Sequence, residues 1–126
     1  MPRVLIADDS RFQRMTLASI LMPKKCEVVL AVDAMQTFMM ALRSSPDLIL
    51  LDINMPGGTG IEVLKRLRVS NKTQQIPVIV ISSEQNPATE SMARELGAVD
   101  FLHKPVDETM LANAVDRALG THANVP

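Results

Sequence analysis

The sequence predicts an α/β fold, a doubly wound parallel sheet of five strands with five helices. Two observations carry that expectation. Short apolar runs alternate along the chain with stretches of helical period, as repeated strand and helix units do. The two most apolar runs, LILLD at 48–52 and VIVIS at 78–82, show no polar alternation, so each is read as a strand covered on both faces. At 126 residues the chain is about one average domain, long enough to bury roughly two-thirds of the surface its unfolded form exposes. One core is expected over residues 1–121, with 122–126 a loose tail and no linker, repeat or low-complexity segment between.

The first strand falls at 3–7 and ends in Ala7-Asp8-Asp9-Ser10, where Asp9 or Ser10 caps the helix that follows. The second strand, at 27–31, leads to a helix on which Met35, Phe38, Met39 and Leu42 recur at i, i+3, i+4 and i+7; this stripe is read as its core face. The third strand, at 48–52, delivers the chain to Asp52 and then to Pro56-Gly57-Gly58, and Ile61, Leu64 and Leu67 mark the buried stripe of the next helix. After the fourth strand at 78–82, Asn86-Pro87 supplies a capping side chain and a proline at the first helical position, and Gly97 closes that helix. The fifth strand is placed at 99–102. Asp107 and Gly120 bracket the last helix around Leu111, Ala114, Val115, Ala118 and Leu119.

Composition narrows the function classes. Thirteen basic residues stand against 14 acidic ones, a net charge of -1, with no basic run to meet phosphates or an anionic membrane. Phe12, Phe38 and Phe101 are the whole aromatic complement, so stacking platforms for bases are absent. Direct nucleic-acid binding is therefore not expected. Membrane insertion is not expected either, since no apolar run approaches the length that spans a bilayer. Cys26 stands alone, which excludes an internal disulfide and a multi-cysteine metal site and suits a reducing compartment. The N-terminus shows no cleavable leader, and a soluble cytoplasmic protein is expected.

In an open parallel sheet, ligands bind at the carboxyl ends of the strands, so those ends are where chemistry is sought. The first strand runs into Asp8-Asp9-Ser10, the third ends in Asp52, the fourth in Ser82-Ser83-Glu84, and the fifth leads to His103-Lys104-Pro105. Three carboxylates, a hydroxyl and an ammonium thus converge on one edge. Two unit charges about 5 Å apart interact by roughly 3 kcal/mol at an effective dielectric near 20, so something must offset the crowding of like charges. Oxygen ligands without histidine or cysteine suit a hard cation, and carboxylates that leave room for water and phosphate favour Mg²⁺ over an enclosed Ca²⁺ cage. With Mg²⁺ holding a phosphoryl group, Asp52 is placed as a carboxylate nucleophile, with Lys104 and Ser82 to hold the transferred oxygens.

Asp8-Asp9, Asp52, Ser82 and Lys104-Pro105 occur in order, each at its own strand end, inside the stretches DINMPGGTG and GAVDFLHKP. In these residues the chain resembles the receiver domains of two-component response regulators, in their single-domain, CheY-like form, from Arg3 to about Gly120. The resemblance implies a flavodoxin-like sheet of strand order 2-1-3-4-5. It also implies a phosphorylation-dependent signalling switch, in which Asp52 accepts a phosphoryl group from a sensor histidine kinase or phosphotransfer protein. Asp9, Asp52 and the backbone carbonyl of Asn54 are the implied direct Mg²⁺ ligands, with Asp8 acting through water. Ser82 and Lys104 are the implied grip on the phosphoryl group. Phe101 is the aromatic that turns inward when Ser82 moves, so that the face of the fourth helix, fifth strand and fifth helix changes its affinity for a downstream protein. The Lys104-Pro105 bond is expected to be cis, against about 5–6% of X-Pro bonds in general. Asn54 and Glu84, two positions beyond Asp52 and Ser82, are the implied tuners of water attack on the acyl phosphate, and their polarity favours rapid self-dephosphorylation. Two departures stand out. Phe101 has no hydroxyl, so it can report only by packing, and Asp33-Ala34 stands where many relatives have a glycine.

Plainer roles exist for each residue. Asp52 alone would serve as a turn aspartate, Lys104 as a solvated lysine and Ser82 as a strand-end hydrogen-bonding group. His103 and His122 are read as surface residues, since neither has a spaced ligand partner, and GGTG lacks the lysine of a P-loop and is read as a turn. The convergence of strand ends outweighs these single-residue readings. Two other functions compete. An aspartyl-phosphate phosphatase often carries a second aspartate two residues after its nucleophile, and here that position is Asn54, which cannot transfer the proton. A constitutive interaction module would usually have lost an acid or the lysine, and all are present. No turnover of an external metabolite is expected, only self-catalysed phosphorylation and dephosphorylation.

Overall fold

The computed structural model describes residues 1–83 and 85–120. In chain order the elements are β1 (Arg3–Ala7), α1 (Arg11–Leu21) with a 3-10 turn at Met22–Lys24, β2 (Glu27–Ala31), α2 (Ala34–Ser44), β3 (Leu48–Asp52), β4 (Asn54–Met55), β5 (Gly58–Thr59), α3 (Gly60–Val69), β6 (Val78–Ser82), α4 (Pro87–Glu95), β7 (Asp100–His103) and α5 (Glu108–Leu119). The main sheet is parallel with order β2-β1-β3-β6-β7, while β4 and β5 form a separate two-residue hairpin. Counting only the strands of the main sheet, the order is the 2-1-3-4-5 of a flavodoxin-like fold. The chain steps outward from β1 to β2 and returns to β3 on the other side of β1. The loops after β1 and β3 therefore diverge and leave a crevice at their carboxyl ends.

The two-residue period of the strands sorts their side chains onto two layers. Leu5, Ile49, Leu51, Val78 and Val80 face α2, α3 and α4, packing on Ala41, Leu64, Leu67 and Ala93. Val4, Ile6, Leu48, Leu50, Ile79 and Ile81 face α1 and α5, packing on Leu17, Leu21, Leu111 and Val115. Every residue of β3 and β6 is buried, as the unbroken apolar runs required. Cys26 is half-buried against the second layer, and burial pushes its thiol pKa up, away from reactive character.

Each helix carries a side-chain cap. Ser10 accepts from the Gln13 N–H, Asp33 from Gln36, Thr59 from Glu62, Asn86 from Ala88 and Asp107 from Met110. Such caps contribute about 1 kcal/mol each. Gly120 ends α5 in the left-handed region at φ 70°.

Three details depart from the sequence reading. The fifth strand begins and ends one residue later, at Asp100–His103, because Val99 N is spent on the Val78 carbonyl before regular pairing starts. The turn after Asp52 is a hairpin, with Gly57 and Gly58 at φ 83° and 138° making the reversal. On α2 the core face is not the Met35/Met39 stripe. The helix buries Ala34, Thr37 and Ala41, with Phe38 and Met40 partly buried against the same layer, while Met35 and Met39 are 72% and 39% exposed. Small residues let α2 lie close to the sheet, and the Thr37 hydroxyl is satisfied by the Asp33 carbonyl at 2.7 Å. Counting only large apolar residues selected the neighbouring stripe.

Candidate functional site

The carboxyl edge of the sheet gathers the acids. Asp8 follows β1, and its N–H extends the ladder to Ala31 O at 3.1 Å, which holds the residue in strand geometry. Its side chain is 1% exposed; Oδ1 accepts the Ser10 N–H at 2.9 Å, and Oδ2 accepts Lys104 Nζ at 3.1 Å. Asp52 closes β3 and is 4% exposed, with Oδ1 accepting the Asn54 N–H at 3.1 Å and Oδ2 lying 3.5 Å from Lys104 Nζ. Asp9 is exposed at the rim, and one carboxylate oxygen from each of Asp8, Asp9 and Asp52 lies within 4.8 Å of the others. Lys104 reaches the cluster from beyond β7. Its backbone N–H donates to Ser82 O at 2.8 Å, and the Lys104-Pro105 bond is cis.

Burial is the main reason the Asp52 carboxyl titrates above the usual carboxylate range. The Asn54 N–H opposes that rise, the Asp8 charge adds to it, and Lys104 opposes it again. An acid whose folded pKa is raised prefers to be protonated in the fold, so its favourable contribution is present at low pH and lost as pH rises through the folded pKa. Asp52→Asn is therefore expected to stabilise the metal-free protein at neutral pH by about 1 kcal/mol, roughly 4 °C in Tm for a chain of this size. The difference in Tm between native and variant should shrink as the pH falls toward 4. A difference that stays constant from acid to neutral pH would show that Asp52 ionisation does not strain the fold.

Three carboxylates and one ammonium leave two negative charges in a largely buried cluster, a deficit that one divalent cation balances. The donors are all oxygens, which fits a hard ion such as Mg²⁺.

The structure brings together Asp8, Asp9, Asp52 and Lys104, with Ser82 fully buried at the end of the adjacent strand. Asn54 is exposed at the start of β4 and reaches the site through its N–H. Phe101 is buried in β7, its ring edge-on to His103 at 5.3 Å. Glu84, His122 and the tail lie outside the described residues. Three supporting residues escaped the sequence reading. Arg14 Nη1 donates to Asp8 O at 2.8 Å and so steadies the strand end that carries the acids. Ala34 N donates to Pro56 O at 3.1 Å, tying α2 to the loop after Asp52. Gly60 N donates to Ile53 O at 2.7 Å, and a Cβ there would lie 2.6 Å from Ile53 Cα. The turn reading of GGTG, which ends in Gly60, carried no signal for that contact.

The sequence matches the response regulator receiver domain family over residues 4–116. The chain belongs to that family. This receiver domain is 39% identical over 120 residues to the two-component response regulator ORR11 of Oryza sativa subsp. japonica, covering 94% of this chain and 81% of that protein. It is 32% identical over 119 residues to protein PilH of Pseudomonas aeruginosa, covering 94% and 98% of the two chains. The solved structure of the chemotaxis protein CheY4 of Vibrio cholerae superposes with a TM-score of 0.87 at 29% identity, over 94% of this receiver domain and 99% of that chain. Among the described residues, no helix of the receiver domain is long and apolar enough to cross a membrane.

Proposed function

We propose that this receiver domain is a phosphorylation-dependent switch whose phosphoacceptor is Asp52. The observation that carries the reading is the convergence of three carboxylates within 4.8 Å around one ammonium, which lies 3.1 Å from Asp8 and 3.5 Å from Asp52. The Asn54 N–H on Oδ1 fixes the rotation of the Asp52 carboxylate. A carboxylate oxygen of Asp52 attacks the phosphorus of a phosphohistidine on a sensor kinase or phosphotransfer protein. The new O–P bond forms as the P–N bond breaks, and the departing imidazole keeps the electron pair and takes up a proton. Lys104 then exchanges its carboxylate contact for a phosphoryl oxygen, and Ser82, at the same edge, offers its hydroxyl. Asp8, Asp9, Asp52 and the Asn54 carbonyl are the groups that would hold Mg²⁺, whose charge offsets that of the incoming phosphoryl oxygens.

The domain turns over no external metabolite and acts only on its own aspartyl phosphate. Asn54 at the rim, with Glu84, governs the approach of water and keeps the phosphorylated state short-lived. Phe101 is buried on the side of β7 that packs with Ala93 of α4, so repacking of its ring would alter that face for a downstream protein. The cytoplasm, where such kinases present their phosphohistidine, is the matching compartment.

The test is intact-mass analysis after incubation with acetyl phosphate, with and without Mg²⁺, on the native protein and on Asp52→Asn. A single phosphoryl adduct that requires both Mg²⁺ and Asp52 is expected. No adduct on a folded native protein would overturn the reading and favour a constitutive interaction module.

A further inference from the structure

We propose that the outer face of α2 is a self-association surface, on which a second copy of this chain packs antiparallel about a two-fold axis. The helix is apolar on two sides. Its inner side is buried, whereas Met35 and Met39 stand 72% and 39% exposed and continue onto Leu30, 49% exposed, on the edge strand β2. Together with Asp33 and Arg43 they line a groove of about 600 Å³ that runs along the open margin of the sheet. Contiguous exposed apolar side chains mark an interface, and methionines repack readily against a copy of themselves.

Charge selects the occupant. Asp33 caps the start of α2 and Arg43 sits in its last turn. Asp33 Oδ1 holds the Gln36 N–H, but Oδ2 accepts no hydrogen bond, and the Arg43 guanidinium makes no ion pair or hydrogen bond among the described residues. Ten residues of helix separate the two by about 15 Å, too far for them to meet within one chain. An antiparallel copy, with the two-fold axis level with Phe38, sets Asp33 against Arg43 at both ends and groups the methionines of both copies between. That is the self-complementarity an isologous contact demands. A parallel copy would place arginine on arginine. An 11-residue helix offers a small footprint, so the dimer is weak and concentration-dependent. This inference does not rest on phosphorylation of Asp52.

Sedimentation equilibrium on the full chain, up to about 1 mM, tests it, since small interfaces assemble only at high concentration. The native protein should show a monomer–dimer equilibrium. Arg43→Glu and Asp33→Lys should each weaken it about tenfold by placing like charges together at both ends. An equimolar mixture of those two variants should recover near-native affinity, because the new lysine then faces the new glutamate and the native pair is kept. Met35→Lys should abolish association. Asp33→Asn keeps a competent cap and separates loss of charge from loss of helix stability. A native protein monomeric at every concentration would overturn the dimer, leaving a helix of another protein as the occupant. A dimer indifferent to both charge reversals, or a mixture no tighter than its components, would overturn it equally.

Discussion

Replacing Gly60 with alanine is expected to cost about 3 kcal/mol of stability and to suppress phosphoryl acceptance at Asp52. The added Cβ would lie 2.6 Å from Ile53 Cα and 2.7 Å from Asp52 O, and both are backbone atoms that cannot rotate aside. Gly60 has no left-handed φ, so the substitution adds no backbone strain, and the lost space is set against a gain of at most about 1 kcal/mol in helix propensity. Relief requires α3 to draw back from the end of β3. That movement breaks the 2.7 Å bond from Gly60 N to Ile53 O and shifts the residue next to Asp52. Urea denaturation and acetyl phosphate labelling of the same preparation would measure both effects. A variant with the native midpoint and native labelling would show that the close approach is dispensable.

Lys104→Met is the second large effect. Methionine keeps the unbranched apolar stem but removes the ammonium that touches both Asp8 and Asp52, leaving two buried carboxylates side by side. Removing one partner of a fully buried pair costs about 3–5 kcal/mol. Lys104 is 23% exposed, so water screens part of the loss and about 2 kcal/mol is expected at neutral pH. The sign of the pH dependence follows from Asp52, whose folded pKa is already raised by burial. Protonation relieves the repulsion, so the deficit should be largest near pH 7 and should shrink as pH falls through the titration of Asp52. Added Mg²⁺, held in the folded site by the carboxylates as proposed, should restore stability by mass action. Labelling should fall by about 100-fold, the usual scale for losing one preorganised group that stabilises transferred charge. Thermal melts across pH, with and without Mg²⁺, would check the first two effects. A deficit independent of pH would separate Lys104 from the carboxylates.

The sheet was legible because its signals are local. LILLD and VIVIS need covering on both faces wherever they occur, and Ser10, Asn86, Asp107 and Gly120 end helices through bonds to neighbours a few residues away. The acids were legible because strand ends of a parallel sheet share one edge, which turns a one-dimensional spacing into a cluster. What the sequence hid depends on distances between elements. Small residues at Ala34, Thr37 and Ala41 decide how close α2 lies to the sheet, yet they carry little weight in an apolar count. Gly60 looks like a weak helix former until the end of β3 is placed against it. The bond from Arg14 to the Asp8 carbonyl joins residues whose spacing has no distinctive pattern.

The bond from Ala34 N to Pro56 O gives the loop after Asp52 an indicator of its own. It links the first residue of α2 to the loop between β4 and β5, whereas the Gln36 and Thr37 amides are held by the cap residue Asp33. Deuterium uptake at this one amide therefore counts the departures of the loop from the helix. Comparing its exchange with that of Gln36, whose N–H is held by Asp33, separates opening of the loop from fraying of α2 without any label at the site itself.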